Sequence, residues 1–300
     1  MRTSSILRYG LGILKRSGIP EYTSKYSRKD FTTHQHLLIC VFKERNRCAW
    51  RKIISDLEDS STICEVIGLK KTPHFTTPDK FLLRIPTWWF NYILSIIYRY
   101  ALSEFYVAID GTGFKTCNAS SHYEVRIGRK RKKRDYLKPI IGYDTKTQLI
   151  LRVKIVRGNR NESPHMRSVL KPLTHTLFVY ADKGYDSERN QELVHEYLGA
   201  ESFIDVRDNP RRGHYRKKNY RLKNGKFVDV WKTNYHQRNI AETGNSVVKR
   251  LFGEYVPGKG IRTQKKYLMV KFLAYNFYVL CRNNTKRFLL FIKGFYKADD

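Results

Sequence analysis

The sequence predicts an α/β protein: a mixed five-stranded sheet flanked by helices, preceded by an α-helical N-terminal region. Three observations carry this reading. Residues 31–103 space their apolar side chains at helical intervals. Beyond residue 104 the texture changes to short runs of β-branched and aromatic residues ended by turn residues. Those runs follow the order three strands, helix, strand, helix, strand, which suits one mixed sheet covered by helices. With 41% hydrophobic residues, a chain of 300 residues has material for a sizeable core.

The elements follow in chain order. Residues 1–30 mix Gly, Ser, Tyr and Lys without periodicity and read as a loose basic leader. Leu37, Leu38, Val41 and Phe42 fall on one helical face, and Trp50, Ile53, Ile54 and Leu57 on another. Thr77-Pro78-Asp79 is a helix start with proline in the first turn. Pro86 then breaks the chain before the aromatic stretch Trp88–Tyr98, which is too short to span a bilayer. Phe105–Ile109 is the first strand, ended by Asp110-Gly111. Leu137–Tyr143 and Gln148–Val156 continue it as an antiparallel meander across the turn Asp144–Thr147. A helix over Pro164–Leu173 leads to the strand Thr176–Ala181, ended by Asp182-Lys183-Gly184. Ser187–Leu198 is a helix with Ser187 as N-cap, and Ser202–Val206 a fifth strand. In Tyr220–Val230, Asn224-Gly225 between alternating segments signals a β-hairpin. Helices over Asn239–Phe252 and Lys265–Arg282 close the fold, and 283–300 is a basic, aromatic tail. The expected division is therefore a flexible leader (1–30), a helical region (31–103), a main domain (104–282) with a basic insertion at about 207–232, and the tail.

Charge narrows the function. Lys and Arg number 58 against 27 Asp and Glu, a net charge of +31. An aromatic content of 14% argues against a disordered basic tail, so a folded protein that meets a polyanion is expected, nucleic acid above all. The five cysteines are an odd number at wide spacings with no C-x-x-C pair, which fits a reducing cytoplasm better than a disulfide framework. Cys117 reads as packing. Gly253-x4-Gly258-Lys259 lacks the Ser/Thr of a phosphate-cradling loop, and no zinc-deaminase pattern occurs.

The candidate chemistry lies in carboxylates at strand ends. Asp110 ends the first apolar strand and Asp182 the fourth. Carboxylates converging across a sheet edge suit hard divalent cations, and two ions about 4 Å apart hold both the attacking and leaving oxygens of a phosphodiester. A third carboxylate is expected from a later helix, and Glu242 is the candidate. Arg238, Glu242 and Lys249 are spaced by four and seven, so all three share one helical face. Asp144, Asp186, Asp205 and Asp229 also lie near element ends; Asp186 is expected to help cap the helix after it.

Tyr235-x2-Arg238-x3-Glu242-x6-Lys249 reproduces the Y-(2)-R-(3)-E-(6)-K signature of insertion-sequence DDE transposases. Asp110 in Ile-Asp-Gly-Thr resembles that family's first Asp, and Asp182 in Ala-Asp-Lys-Gly-Tyr-Asp-Ser its second. The resemblance covers roughly residues 30–282. It implies a ribonuclease-H-like fold and a DNA strand transferase of prokaryotic, nucleoid-associated type. Asp110, Asp182 and Glu242 would be both catalytic residues and ligands of two Mg²⁺ ions, with Mn²⁺ as a substitute. Arg238 and Lys249 would contact phosphates near the cleaved bond, and Tyr235 would position the strand end. The partner would be double-stranded DNA, both terminal inverted repeats and target, bound by a homodimer; no membrane is involved.

Two basic stretches are candidate DNA contacts. Arg126–Arg134 holds seven basic residues in nine; Arg129, Lys130, Arg131, Lys132, Lys133 and Arg134 are assigned to the duplex backbone. In the insertion, Arg211, Arg212, Arg216, Lys217 and Lys218 are interleaved with tyrosines, a gripping pattern. Trp231 reads as packing. A ribonuclease-H-like nuclease that cuts without joining, and a non-catalytic domesticated DNA-binding protein, are the alternatives.

Overall fold

The computed structural model describes residues 2–101, 103–116, 125–128, 136–158, 160–207 and 210–283. The run Arg129–Arg134, Cys117 and the tail beyond Asn283 lie outside the described residues. The chain divides into two compact units, one formed by the residues up to Ala101 together with those from Val248 on, the other by Leu102–Val247.

The first unit is helical. It contains α1 (Thr3–Arg16), α2 (Thr33–Asn46), α3 (Trp50–Glu58), α4 (Ser61–Ile67), α5 (Thr76–Arg84), α6 (Trp88–Ala101) and the long α12 (Ile261–Asn283). Most of α12 from Lys266 to Leu280 is buried, so this helix is the axis of the unit rather than the end of the main domain. The expected flexible leader is a helix as well. α1 buries Ile6, Leu7, Gly10, Ile13 and Leu14, a narrow stripe with glycines and polar residues between. A β-carbon on Gly10 would lie 2.6 Å from the Phe277 ring, so only glycine permits this approach to α12. Tertiary burial supplies what the weak local propensity lacks. Thr32 and Gln35 form a reciprocal cap at the start of α2. Inside, Glu44 is buried between two amines, Lys43 at 2.9 Å and Lys271 at 3.1 Å, so the charge is compensated where water is absent.

The second unit is built on a mixed sheet of β1 (Phe105–Gly111), β2 (Phe114–Lys115), β3 (Tyr136–Asp144), β4 (Ile150–Arg157), β5 (Thr176–Ala181) and β6 (Glu201–Ile204). β4 and β1 pair antiparallel to β3, while β1, β5 and β6 run parallel. The sixth strand is the two-residue β2, which extends the row of β1 along β3 after a break at Thr112-Gly113. With the covering helices α7 (Met166–Leu170) and α8 (Glu188–Glu192), the architecture is that of a ribonuclease-H-like sheet. Ser187 caps α8 as expected, accepting from the Asn190 N–H at 3.3 Å.

The expected hairpin over Tyr220–Val230 is not a hairpin. Two helices stand there, α9 (His214–Asn224) and α10 (Val228–Tyr235), joined through Asn224-Gly225. A β-carbon on Gly225 would approach the Arg221 carbonyl to 2.6 Å, so the Asn-Gly pair ends a helix instead of turning a strand. Asn219 fixes the pair. It accepts from Trp231 Nε1 at 2.9 Å and donates to the Ile204 carbonyl at 2.8 Å. The first amides of α9 are capped from outside the helix, by Glu188 at 2.9 and 3.2 Å.

Candidate active site

β1 and β5 are parallel neighbours with Ile109 opposite Ala181. Asp110 and Asp182 are the next residue on each, so their backbones leave the sheet side by side at its carboxyl edge, one strand spacing of about 4.8 Å apart. Two parallel strands ending at the same level create this juxtaposition, which an antiparallel pair would not.

Glu242 arrives on α11 (Asn239–Phe252), in its first turn. Two neighbours seat that turn on the sheet. Gly244 lies so close to Tyr143 of β3 that a β-carbon would come within 2.5 Å of the ring. Asn245 donates to Asp110 Oδ2 at 2.8 Å and accepts the Tyr143 hydroxyl at 2.9 Å. Asn245, three residues after Glu242 and so on the same helical side, is therefore the residue that ties this helix to Asp110.

Burial pushes the Asp110 carboxyl up to about 6; the Glu162 and Glu242 charges push the same way, and hydrogen bonds from Asn245 and the Gly111 N–H oppose them. Asp182 Oδ1 accepts the Gly184 N–H and so caps the turn that follows its strand. Glu242 is half exposed, with Oε1 held by Arg238 at 2.5 Å. Arg238 sits over the Tyr235 ring at 5.5 Å, and Tyr235 stacks on the buried Trp231 with ring centres 4.7 Å apart. Asp182 also acts electrostatically on both Tyr235 and Arg238. Thus Tyr235, Arg238 and Glu242 form one contiguous stack at the end of the sheet that carries the two aspartates. Lys249 is half-buried on α11, two turns beyond Glu242.

Glu162, in the segment after β4, escaped the sequence reading. Its Oε2 accepts the Tyr185 hydroxyl at 2.7 Å, and its other oxygen pairs with Lys138 of β3. It lies directly over Gly111, where any β-carbon would collide with the carboxylate. Burial, then the Glu162 charge, holds the Tyr185 phenol well above its ordinary range, so it donates.

The other acidic residues at element ends have different work. Asp144 is fully buried and accepts from the Tyr106 N–H, the Thr147 N–H and the Thr147 hydroxyl. Asp186 does not cap α8. Its buried carboxylate accepts from Nε and Nη2 of Arg216, each at 2.7 Å, and from the Arg207 N–H at 3.1 Å. Arg216, expected at the DNA, is thereby ion-paired with Asp186, because a buried carboxylate requires a compensating charge. Asp205 is likewise paired, with Lys223 at 2.6 Å. Arg211, Arg212, Lys217 and Lys218 are exposed.

Among the described residues no three His, Cys, Asp or Glu side chains are close enough together to hold one ion. The donor chemistry of Asp110, Asp182 and Glu242 nevertheless fits a hard divalent cation: three carboxylates and no soft ligand. A family model described as Transposase DDE domain matches residues 106–277, more than half of the chain and a range within which all three of these acids fall. The chain belongs to the transposase DDE domain family. Comparison with curated proteins gives no significant match, and comparison with solved structures gives none either. Membership in the transposase DDE domain family makes DNA the partner and divalent metal ions the usual cofactor. No helix among the described residues is long and apolar enough to cross a membrane.

Proposed function

We propose that this transposase carries out metal-dependent cleavage and strand transfer at the ends of an insertion sequence. The observation that carries the reading is the pairing of β1 with β5, which sets Asp110 beside Asp182, together with the Asn245 bond that brings the helix of Glu242 to the same edge.

In this reading Asp110, Asp182 and Glu242 hold two Mg²⁺ ions, which Mn²⁺ replaces. When bound, the ions supply the Lewis acidity that activates water or a 3′-hydroxyl and stabilises the departing 3′-oxygen. The chain's own residues do the rest. Asn245 keeps Asp110 in place. Arg238, stacked over Tyr235 and paired with Glu242, presents a forked cation to a phosphate beside the scissile bond. Tyr235 orients the strand end, and Lys249 adds a second cation along the same helix. The exposed Arg211, Arg212, Lys217 and Lys218 grip the duplex backbone, with Arg129–Arg134 as a second basic contact. The helical unit recognises the transposon ends, and joining two ends requires two copies of the chain on DNA.

A strand-transfer assay with the element's own terminal DNA and Mg²⁺ tests this. Joined product is expected. Cut but unjoined ends would replace the reading with a ribonuclease-H-like nuclease, and binding without cutting would replace it with a non-catalytic DNA-binding protein.

A further inference from the structure

We infer that Glu162 is a positioning residue of this site, a fourth carboxylate that locks the strand end of Asp110 to the turn after Asp182 and sets the field in which the divalent ions bind. The inference rests on the metal reading proposed above and extends it to a residue outside the Asp110, Asp182, Glu242 set.

Three contacts converge on one side chain. Tyr185, three residues after Asp182, donates its hydroxyl to Glu162 Oε2 at 2.7 Å. Lys138, on the strand that pairs with β1, neutralises Oε1. The carboxylate rests on Gly111, the residue next to Asp110, at a distance that admits no β-carbon. The segment after β4 is thereby tied to β3, to the end of β1 and to the turn beyond β5 at once.

A glutamate there is expensive unless it serves the site. It stands near Asp110, a like charge, and among the described residues Lys138 is the cation paired with it. A neutral glutamine would keep a Tyr185 bond and fill the same volume without that repulsion. Lys138 answers the charge of Glu162 itself, and a multivalent cation at Asp110 would relieve the repulsion that remains between the two carboxylates. Outer residues that orient metal-binding side chains change metal affinity by roughly ten- to a hundredfold when replaced.

The test is Mn²⁺ binding to the full-length protein without DNA, followed by electron paramagnetic resonance, together with thermal melting in the absence of metal. Glu162→Gln retains size and acceptor but not charge. Tyr185→Phe retains the charge but frees it. Asp110→Asn is the control for the metal site. Both Glu162→Gln and Tyr185→Phe are expected to remain folded with a modestly lowered melting temperature and to bind Mn²⁺ about ten- to a hundredfold more weakly. Should Glu162→Gln fail to fold, Tyr185→Phe decides, since it removes one hydroxyl from a fully packed ring. Mn²⁺ affinity within twofold of wild type in the folded variants, with binding lost in Asp110→Asn, would overturn the role of Glu162 alone. Undiminished binding in Asp110→Asn would overturn the metal reading itself. Complete loss in Glu162→Gln, matching Asp110→Asn, would overturn positioning in favour of direct ligation.

Discussion

Asp144 and Asp110 sit at opposite ends of the same antiparallel pair, β1 and β3, and they face opposite problems. Asp144 is fully buried but surrounded by donors: two backbone N–H groups and a hydroxyl. Asp110 has the Asn245 amide and the Gly111 N–H for donors, and two glutamates near it that resist its ionisation. The first carboxylate is satisfied by the fold, and its role ends there. The second is desolvated beside two like charges, as expected of a group whose further partner comes from outside the chain. Asp186 and Asp205 belong with Asp144, each answered by a cation of α9.

The largest effect should come from emptying the unsatisfied end. Asp110→Ala, Asp182→Ala and Glu242→Ala are each expected to lower end cleavage by more than ~10³-fold, about 4 kcal/mol of barrier, while DNA affinity in a gel-shift assay stays within a few-fold. Cleavage surviving in any one of them would remove that residue from the site. Next, Asp144→Ala should cost about 2–4 kcal/mol in urea unfolding, because it strands the Tyr106 and Thr147 amides, while cleavage per folded molecule is unchanged. Loss of catalysis in a fully folded Asp144→Ala protein would erase the distinction between the two aspartates.

A smaller effect follows from proton binding. The folded-state value for Asp110, about 6, lies above its ordinary 3.8. A raised acid contributes stability that is present below about pH 4 and lost as pH rises through 6. Asp110→Asn should therefore be more stable than wild type by ~1–3 kcal/mol above pH 6 in metal-free urea titrations, with the gap closing towards pH 4. An equal gap at all pH values would mean that ionisation of Asp110 is not its source. Over the same range, wild-type Mn²⁺ binding should weaken on acidification, since the ion competes with the proton.

The smallest effect separates the cations of α9. Reversing Lys217 and Lys218 should reduce the slope of log affinity against log salt by up to ~0.9 for each phosphate no longer neutralised. Arg216→Ala should leave the slope as it is and instead lower the melting temperature, since its guanidinium is spent on Asp186. A slope change in Arg216→Ala as large as that of the lysines would move Asp186 out of the satisfied group and mark it as a releasable partner.

Much of the architecture is legible in local pattern. The five main strands follow from short apolar runs with turn residues behind them, because a strand buried on both faces reads as a continuous hydrophobic run. Asp110, Asp182 and Glu242 stand out as candidates because each sits at a fixed offset from such a run or within a spaced set of residues. The partnership of Arg216 with Asp186 is not legible in the sequence, since a basic residue in a basic stretch looks the same whether it faces water or a buried carboxylate thirty residues away. The helices α1 and α9 escape it for a related reason. Their stability comes from Phe277 beside Gly10 in one case, and from Glu188 and Asn219 in the other.

Charge, strands, family and the three candidate acids are thus written in the chain as such, because they are properties of neighbours along it. Which acids stand beside like charges, which arginine pairs internally, and that Asn245, Glu162 and Tyr185 gather around the end of Asp110's strand are decided only by folding in three dimensions. Those outcomes depend on residues 23 to 135 positions apart, brought together by strand register and helix seating, and no local pattern encodes distances of that kind.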